Sequence, residues 1–136
     1  MAVLVLTNAQ VLVNAVDLSD HVRQVTLNYK AELQDDTHMG DSTRERVPGL
    51  LDWDLSVDFN QDFAAAKVDA TLFPLVGAAA FAVEVRPVAA ARSATNPGYN
   101  GSAVLADYPI LGQQVGALAT TTVKFSAAGT LSRSTA

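Results

Sequence analysis

Two nine-residue stretches alternate strictly between apolar and polar side chains, and they confine this chain to a narrow set of folds. In the first, Val25, Leu27, Tyr29, Ala31 and Leu33 are interleaved with Thr26, Asn28, Lys30 and Glu32. In the second, Leu51, Trp53, Leu55, Val57 and Phe59 are interleaved with Asp52, Asp54, Ser56 and Asp58. A period of two means a strand with one dry face and one wet face. The wet face of the second strand is almost entirely carboxylate.

The remaining segments fit around this pair. Gln10 to Val16 reads as an N-terminal strand with Val11, Val13 and Ala15 on one side. Asp17 to His21 is a turn cluster, because Ser and Asp side chains compete for nearby backbone groups. The first alternating strand then runs from about Val22 to Leu33, a polar loop covers 34–49, and the second strand covers about Leu50 to Asn60. Asp62 is placed to cap a helix that begins at Phe63. Its predicted buried stripe is Phe63, Ala66, Ala70 and Phe73, and Pro74 and Gly77 end it. Ala80 to Arg86 alternates again, and 87–101 is a second long loop in which Asn100-Gly101-Ser102 marks a tight turn rather than a glycosylation site. Strands follow at Ser102 to Ile110 and Val115 to Ser126, the last with Thr120, Thr122 and Lys124 on its polar face. Six or seven strands and one helix predict a mainly β fold, an antiparallel sandwich or barrel with one flanking helix.

Charge and motif content exclude several functions. Residues 17–69 hold twelve of the fourteen acids but only five of the nine bases, which argues against gripping nucleic acid by counterion release. Cysteine is absent, so disulfides and thiolate metal sites are excluded. The apolar N-terminus lacks a basic leader and is broken by Asn8, Gln10 and Asn14, so a strand is expected there rather than a signal peptide or membrane helix. No nucleotide-binding, zincin or nucleophile-elbow motif is present. Asp35, Asp36, His38 and Asp41 miss the register of a calcium loop and are followed by Arg44 and Arg46, so no metal site is assigned. Asp52, Asp54 and Asp58 read as the wet side of a sheet rather than an acid–base pair, and Trp53 as a core residue. No catalytic residue and no cofactor is expected.

Two features remain unexplained by solubility alone: the large acidic sheet face and the two long loops. Strands with exposed ladder groups invite pairing with another chain, and ring closure removes such edges. Identical subunits paired edge to edge would make these strands staves of one barrel with their polar face inward.

Several segments, in this order, resemble the tail tube proteins (major tail proteins) of long non-contractile tailed bacteriophages. They are DLSDHV at 17–22, DDTHMGDSTRERVPGLLDW at 35–53, FNQDFAA at 59–65, RPVAAARSATNPGYNG at 86–101 and the C-terminal stretch from Tyr108. The resemblance implies a sandwich-like core with a flanking helix, in a single domain lacking a C-terminal decoration. It also implies hexameric rings in which four strands per subunit build an inner barrel, and stacking of those rings into the tube through which the genome leaves. The implied lumen residues are Thr26, Asn28, Lys30, Glu32, Asp52, Asp54, Ser56 and Asp58. The loop implied to reach a neighbouring subunit or ring carries Asp35, Asp36, His38, Asp41, Arg44, Glu45 and Arg46. Implied partners are further copies, the tape measure, terminator and distal tail proteins, and DNA in passage, with no membrane. The implied location is the virion tail, after synthesis in the host bacterial cytoplasm. Related machines (contractile tails, gene transfer agents, tailocins, type VI secretion, or a tail terminator) fit the same resemblance, and a small-ligand-binding barrel fits least.

Overall fold

The computed structural model describes residues 3–135. Its organising element is the antiparallel pair formed by the two alternating segments, β3 (Val22–Asp35) and β4 (Arg46–Asn60), with Thr26 opposite Ser56, Asn28 opposite Asp54 and Lys30 opposite Asp52. The other strands are β1 (Gln10–Val13), β2 (Val16–Asp17), β5 (Phe81–Arg86), β6 (Gly98–Val104), β7 (Thr120–Ala127) and β8 (Ser132–Ser134). All eight belong to one antiparallel sheet in the order β2-β1-β5-β6-β7-β4-β3, with β8 joined to β6. The path ends at β3, yet Val25 and Leu27 of β3 line one cavity with Val85 of β5. The sheet therefore curls around its own apolar face into an incomplete barrel. Inside lie Val11 and Val13, Trp53 to Phe59 at alternate positions, Phe81 and Val83, Val123 and Phe125. Phe81 and Phe125 meet edge to face with ring centroids 5.8 Å apart.

The mainly β architecture with one short helix agrees with the sequence reading, but the helix itself differs. It spans only Val68–Leu72 (α1) and continues as a 3-10 turn over Phe73–Leu75. Phe63, Ala66, Ala70 and Phe73, the expected buried stripe, are all exposed, and Val68, Leu72 and Leu75 are buried instead. The Asp62 carboxylate accepts the Ala64 amide at 2.9 Å and Ala66 takes a positive φ of 60°, so the chain turns before it becomes helical. The larger aliphatic set, at i, i+4 and i+7, then takes the core-facing side. His21, at the end of a 3-10 turn over Ser19–His21, fixes this entry by contacting Asp20 at 2.8 Å and Asp62 at 2.7 Å.

Other boundaries move as well. The expected strand over Gln10 to Val16 is a hairpin whose two-residue turn, Asn14-Ala15, has φ of 49° and 67°. Both residues being left-handed defines the turn type that matches strand twist, though Ala is not its usual occupant. Asn100-Gly101-Ser102 is not a turn but lies within β6. Gly101 is there because the Trp53 ring crosses it: a Cβ would sit 2.8 Å from Cζ2 of Trp53, whose Nε1 donates to the Gly129 carbonyl at 2.9 Å. Strands expected at Ser102 to Ile110 and Val115 to Ser126 are instead β6 and β7, displaced by several residues, and β8 follows where only a tail was read. The first long loop shrinks to 36–45, since β3 and β4 continue to pair as far as Asp35 and Arg46.

The backbone energetics give opposite outcomes at two of these places. Relieving the left-handed conformation with Ala15→Gly raises stability by about 1 kcal/mol. Gly101→Ala lowers it by about 1–3 kcal/mol through overpacking against Trp53. Urea midpoints of the two variants measure both effects.

Candidate functional site

Three strands, β3, β4 and β7, form a ribbon whose outward face is polar from Gln24 to Glu32 on β3 and from Asp52 to Asp58 on β4, with the exposed Leu50 just beyond. Across it the register aligns Gln24, Asp58 and Thr122, then Thr26, Ser56 and Lys124, then Asn28, Asp54 and Ser126. The register and alternation put the eight polar residues singled out from the sequence on this one face: Thr26, Asn28, Lys30 and Glu32 from β3, and Asp52, Asp54, Ser56 and Asp58 from β4. The β7 residues were missed as part of it. Their alternation was visible, but a sequence does not state which strands are neighbours.

The face is less uniformly acidic than β4 alone suggested. Glu32, Asp52, Asp54 and Asp58 stand against Lys30 and Lys124, an excess of two negative charges. Lys30 Nζ lies 3.6 Å from Asp54 Oδ2, and the Thr122 hydroxyl donates to Asp58 Oδ1 at 2.7 Å. Gln34 Nε2 donates to Glu32 at 3.0 Å. Lys124 has no ion-pair partner among the described residues.

Both long margins of this ribbon lack full ladders. β3 ends the sheet, so its outer N–H and C=O groups have no strand partner among the described residues. On the other side β7 meets β6 only through Ser126 and Ala127, leaving its far edge open over Thr120–Phe125.

Beyond Trp53 the hairpin leaves the body of the protein as an arm. Its apolar face continues without cover, with Tyr29, Leu33 and Leu51 exposed by more than half. A register shift between Ala31 and Leu33 accommodates Gly49, and Pro48 sits where β4 has only β3 as a neighbour, so its missing N–H interrupts no second ladder.

The tip, 36–45, carries its own order. The Asp36 amide donates to the Glu45 carbonyl at 2.8 Å, the Glu45 amide to the Thr37 hydroxyl at 2.7 Å, and Arg44 pairs with Asp35 at 2.7 Å. Hydrogen bonds from the Thr37 hydroxyl and amide, aided by Arg44, hold the Asp35 carboxyl below the usual carboxylate range. His38, Asp41 and Glu45 bring potential ligand atoms within 4.8 Å of one another, all on the surface. Asp41 Oδ2 accepts the His38 amide and meets His38 Nδ1, both at 2.9 Å, and these contacts close the turn at the tip. Asp36, Glu45 and Arg46 have no ion-pair partner among the described residues.

The second long loop is fixed by two polar devices. Asn96 is buried; its Nδ2 donates to the carbonyls of Val88, Ala90 and Ala91, and its Oδ1 accepts the Val88 amide. Beneath the loop, buried Glu84 is clamped between Arg86 and Arg92. Burial alone would raise the Glu84 carboxyl, but the hydrogen bonds and charges of the two arginines outweigh it and hold it low. Tyr108 is pushed up to about 12, mainly by burial, and its hydroxyl donates to Asp69 while accepting from Gln61.

No family model and no curated protein matches the sequence. The fold is one found in virion tails and contractile injection systems. A chain of the virion of a native gene transfer agent superposes with a TM-score of 0.70 at 15% identity, over 93% of this chain and 95% of that one. A chain from the tail of an empty gene transfer agent particle, solved with C6 symmetry, gives 0.63 at 17% identity over 82% and 81%. A chain from the sheath/tube terminator of an extracellular contractile injection system in the extended state gives 0.70 at 11% identity over 96% of each.

Acid sensitivity follows from the carboxylates. Asp17, Asp35, Asp62 and Glu84 all titrate below their ordinary values in the folded state. Their contribution is therefore complete above the unfolded carboxylate range and is lost as pH falls through the folded values. Urea midpoints are expected to fall on going from neutral pH to about pH 3. Glu84→Gln is expected to flatten part of that fall and to lower stability at neutral pH, because two arginines lose their anion.

Proposed function

We propose that this chain is the structural subunit of a phage-type tail tube, polymerising through its open sheet edges into rings, of six copies, that stack around a lumen. The observation that carries this reading is the ribbon β3-β4-β7: two unpaired margins on one three-stranded unit, polar on one face and apolar on the other. Pairing β3 of one copy with the free side of β7 in the next is a head-to-tail contact, which closes into a ring when the rotation permits. The polar face then lines the bore, with Thr26, Asn28, Lys30, Glu32, Asp52, Asp54, Ser56 and Asp58 on the wall. The arm, with Asp35, Asp36, His38, Asp41, Arg44, Glu45 and Arg46 at its end, reaches the neighbouring subunit or ring. The C6 symmetry of the gene transfer agent tail supports six copies. Tape measure, terminator and distal tail proteins are the partners at the ends, the location is the virion tail, and the role is mechanical rather than enzymatic.

The excess of carboxylate has a physical use in such a bore. DNA carries one charge per ~1.7 Å of axis, and a basic channel touching about 6–10 phosphates would hold it in a strongly salt-dependent way. Carboxylates repel the phosphates within a screening length of ~8 Å. Lys30 is offset by Asp54, so the wall stays weakly acidic without being uniformly so.

A tail terminator is a second reading, favoured by the equal TM-score to the chain from a sheath/tube terminator particle. Negative-stain microscopy of the purified protein at high concentration separates the two. Hollow tubes support the tube subunit, single rings that never lengthen support the terminator, and a protein that stays monomeric even with partner tail proteins contradicts both.

The liner idea has its own test. Asp52→Lys with Asp58→Lys reverses the sign of the face while sparing Asp54, the partner of Lys30. Particles built from this variant are expected to assemble and to eject their genome slowly or not at all. Normal ejection kinetics would sink the liner idea.

A further inference from the structure

The curl of the sheet leaves a cavity of about 480 Å³ between β3 and the β5–β8 side, walled by Val25, Leu27, Tyr29, Val85 and Leu131 and carrying Arg133 at its rim. The volume is in the range that binds a compact apolar group. Arg133 has no ion-pair partner among the described residues. The cavity therefore asks for an apolar knob accompanied by negative charge.

Several exposed apolar segments of this chain are available to fill such a site in another copy, and charge separates them. Val3 to Leu6 and the Leu111, Val115 and Leu118 segment contain no acidic residue, and Leu6 already forms part of the cavity wall of its own chain. Phe63 lies next to Asp62, but that carboxylate is engaged by His21. Met39 differs from all of these. It stands fully exposed at the hairpin tip, where Asp36 and Glu45 against Arg46 leave an excess of one negative charge among the groups without an ion-pair partner among the described residues. The tip is held rigid by its own hydrogen bonds, with Gly40 turning the chain at a φ of 98°. The arm extends about 20 Å beyond the body, at ~3.3 Å per residue.

We infer that the cavity is the receptor for the hairpin tip of a second copy, with Met39 inserted among the apolar walls and Asp36 or Glu45 meeting Arg133. This rests on the self-assembly reading above and assigns the contact that its arm makes. Knob and socket lie on different surfaces of the same chain, so each copy offers one of each and the contact propagates head to tail.

The absence of cysteine from the sequence makes the test clean. Met39→Cys changes an exposed tip residue, and Ser132→Cys a small exposed residue in the cavity wall. The two variants are mixed under assembly conditions and treated with a short bismaleimide. The inference predicts a cross-linked dimer in the mixture, at least tenfold above either variant alone, and a ladder of multiples when both cysteines share one chain. Tubes that form without the cross-link overturn the docking assignment and leave the tube reading standing. Neither tubes nor cross-link overturns both. In the cysteine-free chain, Arg133→Glu is expected to raise the critical concentration for assembly about tenfold, and an unchanged value counts against the salt bridge.

Discussion

The long outer edge of β3 finds no strand partner among the described residues, and the shape of the whole sheet follows from it. β3 is fourteen residues long and ends the sheet, and between its two register shifts it runs regularly from Gln24 to Ala31 with Lys30 as its one charged residue. An exposed edge of this length is a template for pairing with another chain. The curl of the sheet brings β3 back towards β5 without closing the barrel, so closure inside one chain is not achieved. The free side of β7 and the uncovered apolar face of the arm belong to the same incompleteness. What the monomer lacks, another copy of the same monomer can supply.

The division of labour along β4 shows how one strand serves two purposes. From Trp53 to Phe59 its odd residues are core, sealed by β7, α1 and the Trp53 indole bonded to Gly129. From Arg46 to Leu51 the strict alternation stops, and every residue is exposed, Leu50 and Leu51 included. The root anchors the arm and the arm offers surface. The polar face runs over both parts, and its charges are partly balanced by Lys30 and by hydroxyl donors rather than packed as bare carboxylate.

Much of this was legible in the sequence, and the failures have physical causes. Strict alternation located β3, β4 and β5, and Thr120 to Phe125 located most of β7. It also placed Trp53 in the core and the eight polar residues on a common face. Alanine-rich helix propensity misled at 63–66, where the Asp62 carboxylate captured the Ala64 amide and larger aliphatics took the buried side. The Asn14-Ala15 turn gave no glycine signal, because an alanine carries the left-handed conformation. Asn100-Gly101 looked like a turn because local chemistry cannot show that a tryptophan crosses the glycine from 48 positions upstream in the chain. The partnering of β4 with β7, and hence Lys124 on the polar face, needed the register.

Hydrogen exchange along β3 reads the open edge itself. The outward amides between Val22 and Asp35 are expected to exchange readily in the isolated subunit and to become strongly protected once copies assemble, together with those of Thr120–Phe125. Assembly that leaves both edges exchanging as fast as before would contradict the pairing of these edges.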